Sequence, residues 1–179
     1  MSNPLLEMKG LPPFAHIKPE HIEPAIDKLL QDSRALVEQL LETDEHYTWN
    51  NLIQPLEEAD DRLSRAWLPV SHVNSVVNSD ALREAYNACL PKLSDYSTEM
   101  GQNEKLYEAY KAIHEMPGFS ELDQAQQKTI ENALRDFHLS GVDLPPEKKT
   151  RYKEIKQALS KLTTQYEENL LDATTPGIS

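Results

Sequence analysis

Between Pro145 and Asp172 an apolar or aromatic residue recurs every third or fourth position: Tyr152, Ile155, Leu159, Leu162, Tyr166 and Leu170. That spacing predicts one helix with a continuous apolar face. The other faces carry charge, including Lys148, Lys149, Arg151, Lys153, Glu154, Lys156, Glu167 and Glu168, with Glu147 and Arg151 at supporting i,i+4 spacing. No glycine interrupts the run, and its prolines stand at the start, where a helix tolerates them. A helix of this length spans roughly 40 Å. It is expected to be the spine of a helical bundle, its stripe pressed on the core and its two tyrosines presenting a ring to the core and a hydroxyl to the rim. On that reading Leu159→Ala costs about 2–5 kcal/mol.

The rest of the chain follows the same pattern. The predicted fold is all-α: about six helices and an extended N-terminal arm, in a single helical domain over 1–179. The arm covers 1–19, the bundle 20–172 and a tail 173–179. In the arm, Leu11-Pro12-Pro13-Phe14 and Ile17-Lys18-Pro19 resist helix formation, and Phe14 and Ile17 are the expected pins to the bundle. The first helix runs from Pro19 or Glu20 to about Glu42 on Ile22, Ile26, Leu29, Leu36 and Leu40; Pro24 delays its regular start. Thr43-Asp44-Glu45-His46 is a polar connector.

Thr48 caps the second helix, whose stripe is Leu52, Leu56, Ala59, Leu63 and Trp67. Pro55 and Pro69 predict a broken first turn or kinks there. Periodicity leaves residues 71–78 open between helix and loop. Ser79 or Asp80 caps the third helix, with Leu82, Tyr86, Cys89, Leu93, Tyr96 and Met100 on one side, Pro91 inside and Gly101 as a stop. A short fourth helix carries Leu106, Tyr110 and Ile113 and ends before Pro117-Gly118. Asp123 and Gln126 form a capping box for the fifth, with Ile130, Leu134 and Phe137 buried and Gly141 at its end.

Composition narrows the partners. Of 179 residues 39% are hydrophobic, enough for one core. A net charge of -12 repels nucleic acid and anionic membranes, so neither is expected as a partner. The one cysteine, Cys89, falls on an apolar stripe and reads as a buried, inert thiol. No apolar run approaches membrane-spanning length and the first residues lack a basic region before an apolar one, which predicts a cytoplasmic chain.

Motifs of chemistry fail one by one. His114-Glu115-Met116-Pro117-Gly118 opens like the zinc-protease signature, but Gly118 stands where the second histidine belongs and Pro117 breaks the helix that signature needs. His16 and His21 miss the inverted signature by one residue, with Pro19 between them. His46, His72 and His138 have no neighbour at ligand spacing. Glu57-Glu58 and Asp60-Asp61 read as solvated helix faces rather than a dyad. Trp49 and Trp67 read as core. Glycine-rich phosphate loops and a Gly-x-Ser-x-Gly elbow do not occur. No catalytic, cofactor-binding or metal residue is assigned.

Several ordered stretches resemble the thimet-type oligopeptidase family of zinc metallopeptidases. They are Asn3-Pro4-Leu5-Leu6, Leu11-Pro12-Pro13-Phe14, Pro19-Glu20-His21-Ile22, Pro24-Ala25, Tyr47-Thr48-Trp49, Pro69-Val70-Ser71-His72 and Leu82-Arg83-Glu84-Ala85-Tyr86. Asn132-Ala133-Leu134-Arg135-Asp136-Phe137 with Leu139-Ser140-Gly141 is the strongest, and Asn169 and Asp172-Ala173-Thr174 close the series. The resemblance implies an N-terminal fragment of a longer peptidase. Its zinc-binding helix, where a zinc-activated water and a glutamate base would act, belongs to an absent C-terminal catalytic domain, so this chain holds no cofactor and is inactive alone. The implied role is one wall of a narrow channel that admits short peptides. The tail 175–179 departs from the family. The alternative is a stand-alone helical module that binds a protein or peptide. In either case exposed apolar surface predicts weak self-association.

Overall fold

The computed structural model describes residues 3–8, 10–42, 46–77 and 79–174. Six α-helices account for most of them: α1 Pro19–Leu41, α2 Gln54–Val76, α3 Asp80–Gly101, α4 Glu104–Glu115, α5 Gln124–Leu139 and α6 Pro146–Thr174. Among the described residues there is no strand. The connector residues 43–45, Asn78 and the tail 175–179 lie outside the described residues.

Local signals set the helix ends. Thr48 accepts the amide of Asn51 at 3.2 Å while the Asn51 side chain takes the Thr48 amide at 2.7 Å, a reciprocal cap. The turn it caps, Trp49–Ile53, is π-helical, so the broken first turn occurs just ahead of Pro55. The helix then continues through residue 76, which resolves the open stretch after Ser71. Asp123 and Gln126 form their box at 2.8 and 3.0 Å. Gly141, at φ +83, ends α5: its amide bonds to His138 O and that of Val142 to Phe137 O, and Val142 is buried beneath the turn.

Two separate cores result. The first joins Leu5 of the arm, Ile22, Ala25, Ile26 and Leu30 of α1, Leu63, Ala66 and Val70 of α2, and Leu82, Tyr86 and Cys89 of α3. Trp67 stacks on Tyr86 there, centroids 4.8 Å apart. The second joins Leu52 and Ile53 of the π turn, Leu106, Ala109, Tyr110 and Ile113 of α4, Ile130 and Phe137 of α5, and Val142. Each large aliphatic side chain fully buried in these cores stabilises the fold by about 1.5–3 kcal/mol.

Three expectations need correction. The buried face of α1 passes through Leu30, Ser33 and Val37, one position round from Leu29, Leu36 and Leu40, which are only partly covered. Phe14 is 46% exposed and rests on the His72 ring; Leu5 anchors the arm, with Ile17 packed beside it. The third correction is the largest. The α6 stripe is not core: Ile155, Leu159, Leu162, Tyr166 and Leu170 are all exposed, and Thr164 is the one buried residue of that helix among those described. The bundle is centred on α1, which lies against both α2 and α3, while α6 packs on the outside of α3. Amphipathicity shows that a helix has two faces. It does not show which face the neighbour takes.

Candidate functional site

The helix α6 is mounted back to front. Its inward positions Gln157, Ser160, Thr164 and Glu168 recur at helical spacing and are polar. They face Asn87, Leu90 and Pro91 of α3 across a cavity of about 470 Å³. Charged contacts flank it along the length of the helix. Lys149 reaches Glu104 of α4 at 2.6 Å. Gln157 donates to Asp95 at 2.5 Å and Lys153 lies 3.3 Å from the same carboxylate. Asn87 donates to Glu168 at 2.8 Å, and Arg83 holds Asp172. The Asp172 hydrogen bond and charge raise the Arg83 guanidinium, and the same bond lowers the Asp172 carboxyl. Arg151 pairs forward with Glu154 at 2.8 Å.

The outward face of α6 is therefore a long apolar stripe that no described residue covers. Leu159 is 55% exposed and Tyr166 69%. A patch of this kind, rimmed by charge, is the ordinary mark of a surface that meets another chain or segment.

A second feature lies where the two cores meet. A cavity of about 500 Å³ is walled by Leu63, Leu93 and Tyr96 of the first core and Leu106, Tyr110 and Phe137 of the second. Glu57 and Asp60, one turn apart on α2, stand at its mouth. Both are exposed, in keeping with a solvated face, but the fold brings these two, rather than the sequence-adjacent pairs, to one opening. Partial burial, and then the charge of Asp60, raise the Glu57 carboxyl.

The histidines are scattered. His21 Nδ1 accepts the Lys18 amide at 3.3 Å at the start of α1. His114 leans on Phe119, centroids 4.6 Å apart. His138 bonds through Nδ1 to the Asp143 carboxylate, and its Nε2 lies 3.3 Å from the Tyr107 hydroxyl. Among the described residues no group of three His, Cys, Asp or Glu side chains is placed to hold a metal ion. Cys89 is wholly buried, and burial pushes its thiol up to about 11. Among the described residues no helix is long and apolar enough to cross a membrane.

The polar seat of α6 had a signal in the sequence, since Gln157, Ser160, Thr164 and Glu168 share a helical repeat. The cavity had none, because five helices contribute to it.

The described residues thus form an all-α bundle with two cores and an exposed apolar face on α6. Residues 26–149 match the model of the neurolysin/thimet oligopeptidase N-terminal domain, and the chain belongs to that family. Over 174 residues it is 58% identical to oligopeptidase A of Haemophilus influenzae and 53% identical to that of Escherichia coli, in each case over 97% of this chain. It is 37% identical over 173 residues to a probable cytosolic oligopeptidase A of Arabidopsis thaliana. The chain spans about a quarter of the length of these relatives: 25%, 26% and 24%. It corresponds to the N-terminal domain of an oligopeptidase A-type peptidase.

Proposed function

We propose that this chain is the helical N-terminal wall of a cytoplasmic oligopeptidase that degrades short peptides, that it is inactive alone, and that its α6 stripe seats the rest of the polypeptide. The single observation that carries this reading is the reversed mounting of α6. Polar side chains hold it to α3, and five large apolar ones point to water. Covering them would stabilise an assembly by about 25 cal/mol for each Å² of apolar surface removed from water. In the relatives about three quarters of the polypeptide lies outside the matched part and is available to do so.

In this reading the wall acts by shape. Rigid helices narrow a channel so that only short, unstructured peptides reach the catalytic part. The catalytic zinc would belong to that part. The described residues of this chain do not form a ligand set for it, and no step is derived through it. Left alone, the chain would self-associate weakly through the same stripe.

The test is reassembly. This chain and the remaining segment of the Haemophilus relative are produced separately, mixed, and assayed by co-elution and by cleavage of a short fluorogenic peptide. Cleavage by the mixture alone, lost on Leu159→Asp with Leu162→Asp while this chain stays folded, is the expected result. Cleavage by the isolated chain, or unchanged assembly of the charged variant, would overturn the reading. Stoichiometric capture of an unrelated partner with no reassembly would point to the stand-alone module.

A further inference from the structure

The stripe that α6 turns outward is narrower and more regular than a broad apolar face. Tyr152, Ile155, Leu159, Leu162 and Tyr166 are separated by steps of three, four, three and four, and the next step of three falls on Asn169. That is a seven-residue repeat, the seam of a two-stranded coiled coil, which a single partner helix covers. Ile155, Leu159, Leu162 and Tyr166 are between 45% and 69% exposed. The residues that flank the middle of the seam, Ala158, Thr163 and Gln165, are exposed and uncharged. Gln157 and Thr164, which face α3, lie on the opposite side of the helix, so a partner laid on the seam leaves α3 behind it.

Charge along α6 selects the partner. Residues 147–161 carry six basic and two acidic side chains; residues 162–174 carry three acidic and no basic ones. A helix of the same sequence running the opposite way lays basic half against acidic half and sets the two macrodipoles against each other. Running the same way, it would put Arg151 beside Lys156 of the other copy, like charge against like. The repeat also fixes one antiparallel register. With Leu159 of each copy against Leu162 of the other, Ile155 meets Tyr166, Tyr152 meets Asn169, and Arg151 comes beside Asp172.

We propose that the α6 stripe pairs with that of a second copy of this chain, as a symmetric antiparallel coiled coil centred between Ser160 and Lys161. This pairing rests on the reading of α6 as a seat, and names its occupant where the rest of the polypeptide is absent. Arg83, Asn87 and Asp95 of α3 already hold α6 in place, so pairing has little chain left to order. The seam is only about two and a half heptads long. Each copy also carries a net charge of -12, so the two repel as wholes and the dimer is weak. Because each stripe meets itself, the contact closes at two copies.

Sedimentation equilibrium of the 179-residue chain tests it. A monomer–dimer equilibrium with no larger species is expected. Leu159→Asp with Leu162→Asp should weaken the dimer by about tenfold or more, and Arg151→Glu with Lys156→Glu by about threefold or more. The helical circular dichroism of both variants should match the parent's, since all four positions are exposed. Glu147→Cys, carrying a nitroxide, reads the direction: the two labels of a dimer should stand about 40 Å apart, against about 20 Å in a parallel pair. Cys89 is wholly buried and takes no label. A chain that stays monomeric at about 1 mM, a dimer that both charged variants leave intact, or labels about 20 Å apart would each overturn the pairing. A monomer that still reassembles with the remaining segment of the Haemophilus relative overturns the pairing alone; the reading of α6 as a seat fails only when reassembly fails.

Discussion

Arg83 on α3 grips Asp172 on α6 with two hydrogen bonds, Nη2 to Oδ1 at 2.8 Å and Nη1 to Oδ2 at 3.2 Å. This fork stands near the C-terminal end of a helix that is otherwise seated over a cavity. The hydrogen bond from Arg83 lowers the Asp172 carboxyl, so its contribution is present above the ordinary carboxylate value and is lost as pH falls through the lowered one. Protection factors of amides in the last turns of α6, measured against the intrinsic rate at each pH, are therefore expected to fall at acid pH before the cores open. Asp172→Asn should produce the same loss of protection at neutral pH. Equal protection in variant and parent would show that the fork does not hold the helix.

The exposed stripe reverses the cost expected of Leu159. In this chain Leu159→Ala should change stability by less than about 0.5 kcal/mol, as at an ordinary surface position. Ile113→Ala, at a fully buried position of the second core, should cost about 2–5 kcal/mol. Urea unfolding of the two variants distinguishes them; comparable losses would mean that α6 is packed the other way round.

Gly141 is expected to be intolerant. Its φ of +83 disfavours any side chain, and an added Cβ would stand 2.5 Å from Leu144 Cδ1. Gly141→Ala should destabilise the chain by about 1–2 kcal/mol from the backbone alone, with the clash adding to it. Thermal unfolding checks this, and an unchanged midpoint would show that the turn relaxes freely.

Cys89 should be silent in the folded state. Its buried thiol, pushed up to about 11, offers almost no thiolate at pH 8, so labelling should follow unfolding and quicken with urea. The raised value also means that stability falls as pH rises from about 9 towards about 11, because the unfolded thiol ionises first. Rapid labelling without denaturant would contradict the burial.

Light scattering tests the stripe in isolation. Leu162→Glu should reduce any association of this chain, since it places a carboxylate in the middle of the apolar surface. Association that is unaffected by this change would arise elsewhere on the molecule.

Sequence alone determined the helical class, five of the six apolar stripes to within about one residue, and the caps at Thr48 and Asp123. These depend on interactions within a few residues of chain, so spacing reports them directly. Tertiary structure alone decided which face of α6 meets α3, that Leu5 rather than Phe14 anchors the arm, and that Glu57, Asp60 and Tyr110 share one opening. The reason is physical. An apolar stripe specifies only that some surface must eventually cover it, and α3 offers α6 the polar partners Arg83, Asn87 and Asp95 instead. Once those contacts hold the helix, its apolar side has nowhere to point but outward.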